Sequence, residues 1–295
     1  MADFNHLVDR AMTRENHGHM RPVIAKELLH YDILFSLENN GLLEKLTFQG
    51  GTCLRLCYGS QRFSEDLDFV GGKDFTSADL IDIKKCIEKY IGGRYGLEIE
   101  VKEPKESAHL AESADIKVNR WQISITTSPE RKDIPKQKIK LEVLNIPAYS
   151  RTPQTLQKNY EFLPDGYEDV LIMTESLDEI MADKIISFVN AQKPIRHRDI
   201  WDLHWLKQRD AKINAEYIFS KIKDYKINDY PEKLHDRIKH LEDIIRSKDF
   251  KNEMLRFLPI DVQERTLQKD KFTDFLINEN KALLQSVEKI IREKK

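Results

Sequence analysis

The sequence predicts an α+β chain in two parts, a mixed sheet with helices over residues 1–175 and an all-helical part over 176–295. Three observations predict it. Period-two, β-rich stretches fall only in the first part, at 97–103, 116–127 and 138–146. From Leu177 onward nearly every segment carries apolar residues at helical spacing. The charge also changes sign along the chain. Residues 1–180 hold 23 Lys+Arg against 30 Asp+Glu, a balance of −7, and residues 181–295 hold 25 against 20, a balance of +5. A length of 295 residues suits two domains.

The elements follow in order. The first sixteen residues are amphipathic and contain no apolar signal core, so a cytoplasmic protein is expected. Residues 21–39 place Val23, Ile24, Leu28, Ile33, Leu34 and Leu37 near helical spacing and end at Asn39-Asn40-Gly41, a C-cap signal. Residues 46–51 read as a short strand running into Gly50-Gly51, and Thr52 to Tyr58 as a short helix. Residues 67–72 are a second strand broken by glycines, and Ser77 to Tyr90 a helix. The three β-rich stretches follow. After Pro147 the pattern loosens until residues 170–176. Helices are expected at 177–191, 198–208, 214–223, 231–247, 261–268 and 271–293.

Composition excludes several classes. Hydrophobic residues are 40% and charged residues 33%, a soluble globular profile, and no run of eighteen apolar residues could span a membrane. The three cysteines, Cys53, Cys57 and Cys86, cannot all pair and lack zinc-ligand spacing, as expected of reduced thiols. An acidic part joined to a mildly basic one fits a metal-using site beside a surface for a polyanion.

The chemistry concentrates in residues 48–72, FQGGTCLRLCYGSQRFSEDLDFVGG. Asp66 and Asp68 flank Leu67 on a strand, so both point to one face. Two adjacent carboxylates repel and raise each other's pKa unless a cation lies between them. Oxygen ligands suit a hard divalent ion, Mg²⁺ or Mn²⁺. Gly50-Gly51 stands where a strand hands over to a helix, where backbone N–H groups can approach a phosphate. In KIKLEVLNI, Glu142 alternates with Leu141 and Val143. A lone acid there either needs a partner or a metal, or faces water from an edge strand.

The stretch GGTCLRLCYG–RFSEDLDF resembles the AbiEii/AbiGii toxin family of nucleotidyltransferases, which belongs to the polymerase-beta-like superfamily and includes the MenT-type toxins. The superfamily pattern is a Gly-Gly or Gly-Ser pair, a helix, then Asp-x-Asp. Gly51-Thr52 stands for the pair here, and the thirteen residues between Thr52 and Asp66 make a slightly long gap. A second match lies in LDEIMADKIISF and RHRDIWDLHWL, where the family carries a helical lysine and then an Arg-x-Lys/Arg-Asp-x-x-Asp-Leu signature. The counterparts are Lys184, Arg196, Arg198, Asp199, Asp202 and Leu203, with Arg198 in place of the commoner lysine. The resemblance covers residues 20–210.

The resemblance implies a polymerase-beta-like mixed sheet followed by helices, and a metal-dependent transfer of NMP from an NTP to RNA. The implied acceptor is the 3′ end of tRNA, and the implied role is the toxin of a toxin–antitoxin or abortive-infection pair with a cognate antitoxin. Asp66, Asp68 and Glu142 would hold metal. Gly50, Gly51, Thr52, Arg62 and Ser64 would hold the nucleotide. Lys184 would clamp phosphate, and Asp199 would face a cleft between the halves, with Arg196, Arg198 and Asp202 in support. Arg62 could equally pair with Glu65. Trp201, His204 and Trp205 read as core at helical spacing, and His197 as an exposed loop residue. Arg131, Lys132, Lys136, Lys138 and Lys140 form a basic cluster near Glu142, either a rim for nucleic acid or a solubilising loop. Two other readings share this core: transfer to a small molecule or protein, and a catalytically silent NTP-binding module.

Overall fold

The computed structural model describes residues 2–13, 18–104, 116–131 and 133–294. The chain divides into two compact units, Met1–Glu175 and Ser176–Lys295.

The first unit is α+β. Its elements are α1 (Phe4–Thr13), α2 (Arg21–Glu38), β1 (Thr47–Gln49), α3 (Gly50–Leu56), β2 (Leu67–Val70), α4 (Ile83–Tyr95), β3 (Glu98–Lys102), β4 (Val118–Thr126), β5 (Gln137–Leu144), β6 (Thr152–Thr155) and β7 (Leu171–Thr174). The strands form one seven-stranded sheet in the order β3-β4-β5-β2-β1-β7-β6. It is mixed. β2 runs parallel to β5 and β1 parallel to β7, and the other pairs are antiparallel. One face is apolar and buried: Leu67, Phe69, Leu141, Val143, Trp121 and Ile123 all lie at or near zero exposure. The side chains between them in sequence project from the other face. The polar alternation of β2, β4 and β5 is therefore what leaves an open face, and the candidate carboxylates lie on it.

Helix α2 covers part of the apolar face. It is buried nearly all round and carries His30 and Asp32 inward among leucines and isoleucines. Asp32 accepts from the hydroxyls of Tyr95 and Tyr167 and meets Arg94 at 3.3 Å. Glu27 accepts two bonds from Arg55 of α3, which ties α3 to α2.

The second unit is all-helical: α5 (Leu177–Asn190), α6 (His197–Gln208), α7 (Ala215–Asp224), α8 (Tyr230–Arg246), α9 (Lys248–Phe257), α10 (Ile260–Arg265) and α11 (Asp270–Glu293). Ser176 caps α5 by accepting from the Glu179 N–H, and Asn214 caps α7 in the same way. Among the described residues, no helix is long and apolar enough to cross a membrane.

The structure departs from the sequence expectations in five places. The short helix begins at Gly50, not Thr52, because Gly50 takes a left-handed φ of +79° that turns strand into helix. The expected helix from Ser77 to Tyr90 is divided, because Thr76 and Asp79 close a separate 3-10 turn by a capping box before α4 starts at Ile83. Strand β6, TPQT, was not expected: it is polar, contains a proline and pairs only as an edge strand. Helix α9 was not expected either. Ser247 ends α8 in extended conformation and caps α9 through the Phe250 N–H. The amphipathic N-terminus forms α1.

Candidate active site

Strand register builds the acidic part of the site. In the parallel pair β2–β5, Asp68 stands directly opposite Glu142, with Leu67 opposite Leu141 and Phe69 opposite Val143. Neighbouring strands lie about 4.8 Å apart, so the two carboxylates share one face at close range. Asp66 precedes β2 by one residue and comes back to the same face. Its Oδ1 accepts from the Lys140 backbone N–H at 3.1 Å, two residues before Glu142 on β5. All three acids are half-buried. Cations attend Glu142 and Asp66. Arg120, opposite Glu142 on β4, donates Nε–H to Glu142 Oε1 at 2.7 Å, and the Lys140 ammonium lies 4.0 Å from Asp66.

The glycine pair closes on these acids. A Cβ on Gly50 would lie 2.7 Å from Asp68 Oδ2, so only glycine admits the carboxylate this near the backbone. A Cβ on Gly51 would lie 2.3 Å from an Arg62 Nη and 2.9 Å from Ser64 Oγ. Arg62 is buried, and its other Nη donates to the Phe63 carbonyl at 2.7 Å. Glu65 pairs with Lys26 at 2.6 Å. A guanidinium and a hydroxyl thus stand at the start of α3, beside backbone N–H groups that have no intrahelical partner. Thr52 is fully buried, and its hydroxyl donates to the Asp66 carbonyl. Its one hydrogen is spent there, which makes Thr52 a link between α3 and the DxD strand.

The second unit holds a separate ionic cluster. Lys184 of α5 is 7% exposed, and its ammonium meets Asp199 at 2.8 Å and Asp202 at 2.9 Å, both on α6. Asp199 also accepts from Ser187 Oγ at 2.6 Å and from Arg196 Nε at 3.0 Å. Burial pushes the Asp199 carboxyl upward, but Lys184 and Arg196 outweigh it and hold the group below the ordinary carboxylate range. An ammonium has three donors, and two are committed here. Arg198 turns elsewhere, to Glu253 at 3.1 Å and over the Phe257 ring. His197 is not an exposed loop residue. It is the first residue of α6, is buried, and meets Glu253 at 3.2 Å. Trp201 packs tilted and His204 edge-on against Phe272, as core residues do.

Among the ionic sets that the sequence leaves unmarked, one lies in the second unit. Lys221 of α7 is fully buried and meets Glu179 at 2.8 Å and Asp183 at 2.9 Å, both on α5. The available signal was a lysine three residues after Ile218, on the apolar face of α7. In the basic cluster, Arg131 is bound to Asp133 and Lys136 lies 3.7 Å from Glu98. Lys138 and Lys140 project from the open face of β5, and Lys132 lies outside the described residues.

The nucleotidyltransferase toxin MenT4 from Mycobacterium tuberculosis has the same fold. The match has a TM-score of 0.61 at 14% identity and covers 97% of this chain and 90% of that one. JHP933 from Helicobacter pylori matches with a TM-score of 0.49 at 19% identity, over 92% of this chain and 94% of that one. No curated protein is significantly similar in sequence. The family described as nucleotidyl transferase AbiEii toxin of type IV toxin–antitoxin systems matches residues 32–282, most of the sequence and both units. With the glycine pair and the in-register carboxylates already in place, the chain belongs to the AbiEii family of nucleotidyltransferase toxins.

Proposed function

We propose that the protein transfers NMP from an NTP to the 3′ end of an RNA, with tRNA as the acceptor, and that it does so with Mg²⁺ or Mn²⁺. The observation that carries this reading is the placement of Asp68 opposite Glu142, with Asp66 on the same face beside Gly50. The donor set is entirely carboxylate oxygen, which suits a hard divalent ion. Bound by Asp66, Asp68 and Glu142, such an ion would supply Lewis-acid charge to the phosphate oxygens and lower the pKa of the attacking hydroxyl.

The chain's own residues divide the remaining work. Gly50 and Gly51 offer backbone N–H groups to the triphosphate, and Arg62 and Ser64 stand against Gly51 to meet the same anion. The RNA hydroxyl oxygen forms a bond to the α-phosphorus, its proton leaves to a carboxylate of the set, and the bond to pyrophosphate breaks. Lys184 directs its third N–H to a phosphate oxygen, and Asp199 and Asp202 orient it. The biological reading is a cytoplasmic toxin restrained by a cognate antitoxin. Extension of the terminal ribose of tRNA would stop aminoacylation.

The test incubates the protein with each α-labelled NTP and total tRNA, with and without a chelator, and maps the 3′ end of the product. Labelled tRNA extended by NMP, and lost on chelation, is the expected result. Label on a small molecule or a protein instead would replace the RNA reading.

A further inference from the structure

We propose that the open face of β5 and β4 is a track for the single-stranded 3′ end of an RNA, with Lys138 and Lys140 as successive phosphate contacts leading to Asp66, Asp68 and Glu142. The proposal rests on the RNA-acceptor reading above and says where that RNA lies.

Lys138, Lys140 and Glu142 alternate along β5, while Ile139 and Leu141 between them are fully buried. The two lysines therefore continue the face that carries the carboxylates. Their cross-strand neighbours are polar as well. Ser124 stands opposite Lys138, Gln122 opposite Lys140 and Arg120 opposite Glu142. These three rows offer donors and charges but no apolar side chain, so the face suits a phosphate backbone rather than an apolar partner. Alternate residues of a strand lie about 6.7 Å apart, which is comparable with the step between successive phosphates of an extended single strand.

The state of each cation narrows the assignment. Arg131 and Lys136 are engaged with Asp133 and Glu98. Lys102, opposite Gln122 on β3, lies 3.7 Å from Glu100. Arg120 is held by Glu142. Lys138 is exposed and makes no ion pair among the described residues, and Lys140 touches Asp66 only at 4.0 Å. These two lysines have charge to offer an anion, and they stand one and two rows from the acids. A chain laid along β5 would bring its terminal hydroxyl to Glu142 with its preceding phosphates on Lys140 and Lys138.

The experiment compares full-length wild type with Lys138→Gln/Lys140→Gln. It measures fluorescence anisotropy of a short fluorescein-labelled single-stranded RNA over a salt series, alongside binding of α-labelled ATP. Each phosphate contact on a single strand contributes about 0.7 to the slope of log affinity against log salt. Loss of both should lower the slope by about 1.4, so that between about 50 and 200 mM salt wild type loses about 7-fold more affinity than the variant. With Mg²⁺ saturating, so that Lys140 is already released from Asp66, ATP binding should be equal in the two proteins. A blunt duplex of the same sequence should bind alike to both. An unchanged slope in a variant with wild-type urea midpoint overturns the track and leaves the RNA reading standing. An equal loss of slope on the duplex overturns the single-stranded track. Wild type that binds no RNA at any salt overturns both.

Discussion

Replacement of Lys184 by methionine separates the structural role of this lysine from its proposed role in transfer. The ammonium is 7% exposed and lies within 2.9 Å of two carboxylates that are 2% and 0% exposed. Removing one partner from a buried ion pair costs about 3–5 kcal/mol, because the remaining charge stays desolvated. Typical domains have only about 5–15 kcal/mol in total. Lys184→Met should therefore lower the urea midpoint of the helical unit strongly, as read by circular dichroism. It should also change the acid limb. Asp199 is held below the ordinary carboxylate range, so its stabilising contribution is full above pH 4 and is lost only as pH falls below that. Without Lys184, burial is opposed mainly by Arg196, and the loss should begin at higher pH. Lys184→Met/Asp199→Asn/Asp202→Asn removes the stranded charges and should recover much of the stability but none of the transfer. A single variant within about 1 kcal/mol of wild type would refute the reasoning, since buried pairs of this kind do not break so cheaply.

Other outcomes follow from the same geometry. Asp66→Ala and Asp68→Ala should each abolish NMP transfer, and Asp66→Ala should also lower the urea midpoint slightly because it removes the acceptor of the Lys140 N–H; metal-dependent transfer surviving both would remove the carboxylates from the chemistry. Gly50→Ala forces an L-residue to φ +79° with its Cβ 2.7 Å from Asp68 Oδ2. It should cost about 1–2 kcal/mol for the left-handed conformation alone and weaken ATP binding, and wild-type values of both would contradict the close approach. Helix α2 carries two opposed titrations. Burial pushes His30 down to about 4 from 6.5, so its contribution is present above pH 6.5 and is lost as pH falls toward 4. Burial pushes Asp32 up to about 6 from 3.8, so its contribution is present below pH 3.8 and is lost as pH rises toward 6. Each is worth about 3 kcal/mol, and between pH 4 and 6 the slopes nearly cancel. Asp32→Asn should unmask a fall in stability as pH drops from 6.5 to 4, and a flat profile in that variant would overturn the assignment to His30.

How far the site was legible follows from the range of the signals. Asp66, Asp68 and Glu142 announce themselves because a two-residue alternation fixes the face of a strand. That Asp68 and Glu142 are opposite each other depends on a crossover register spanning more than seventy residues, which no local pattern contains. Lys184 reads from sequence as a lysine in an apolar helix. Its burial depends on Asp199 and Asp202 arriving from α6. His197 was misplaced because its two arginine neighbours look solvated, whereas Glu253 of the unexpected helix α9 covers it. Strand β6 was invisible for a different reason: an edge strand needs only one paired side, so TPQT satisfies the sheet without apolar alternation.

The charges of the two clusters set how each can act. Lys184 and Arg196 balance Asp199 and Asp202, so this cluster has no net charge and projects little field beyond a few ångströms. On the proposed reading Lys184 acts by direct contact, so its benefit depends on how firmly α5 holds the ammonium. Lys221 bears on that requirement. Buried between Glu179 and Asp183, five and one residues before Lys184, it fixes the same helix against α7. The sheet face behaves differently. There the cations are themselves tied to the acids, Arg120 to Glu142 at 2.7 Å and Lys140 to Asp66 at 4.0 Å. A divalent ion bound there would compete with Lys140 for Asp66 and free the lysine. On the proposed reading, metal would then act on binding as well as on chemistry, because the lysine that it displaces is one of the two that stand ready for the acceptor phosphates.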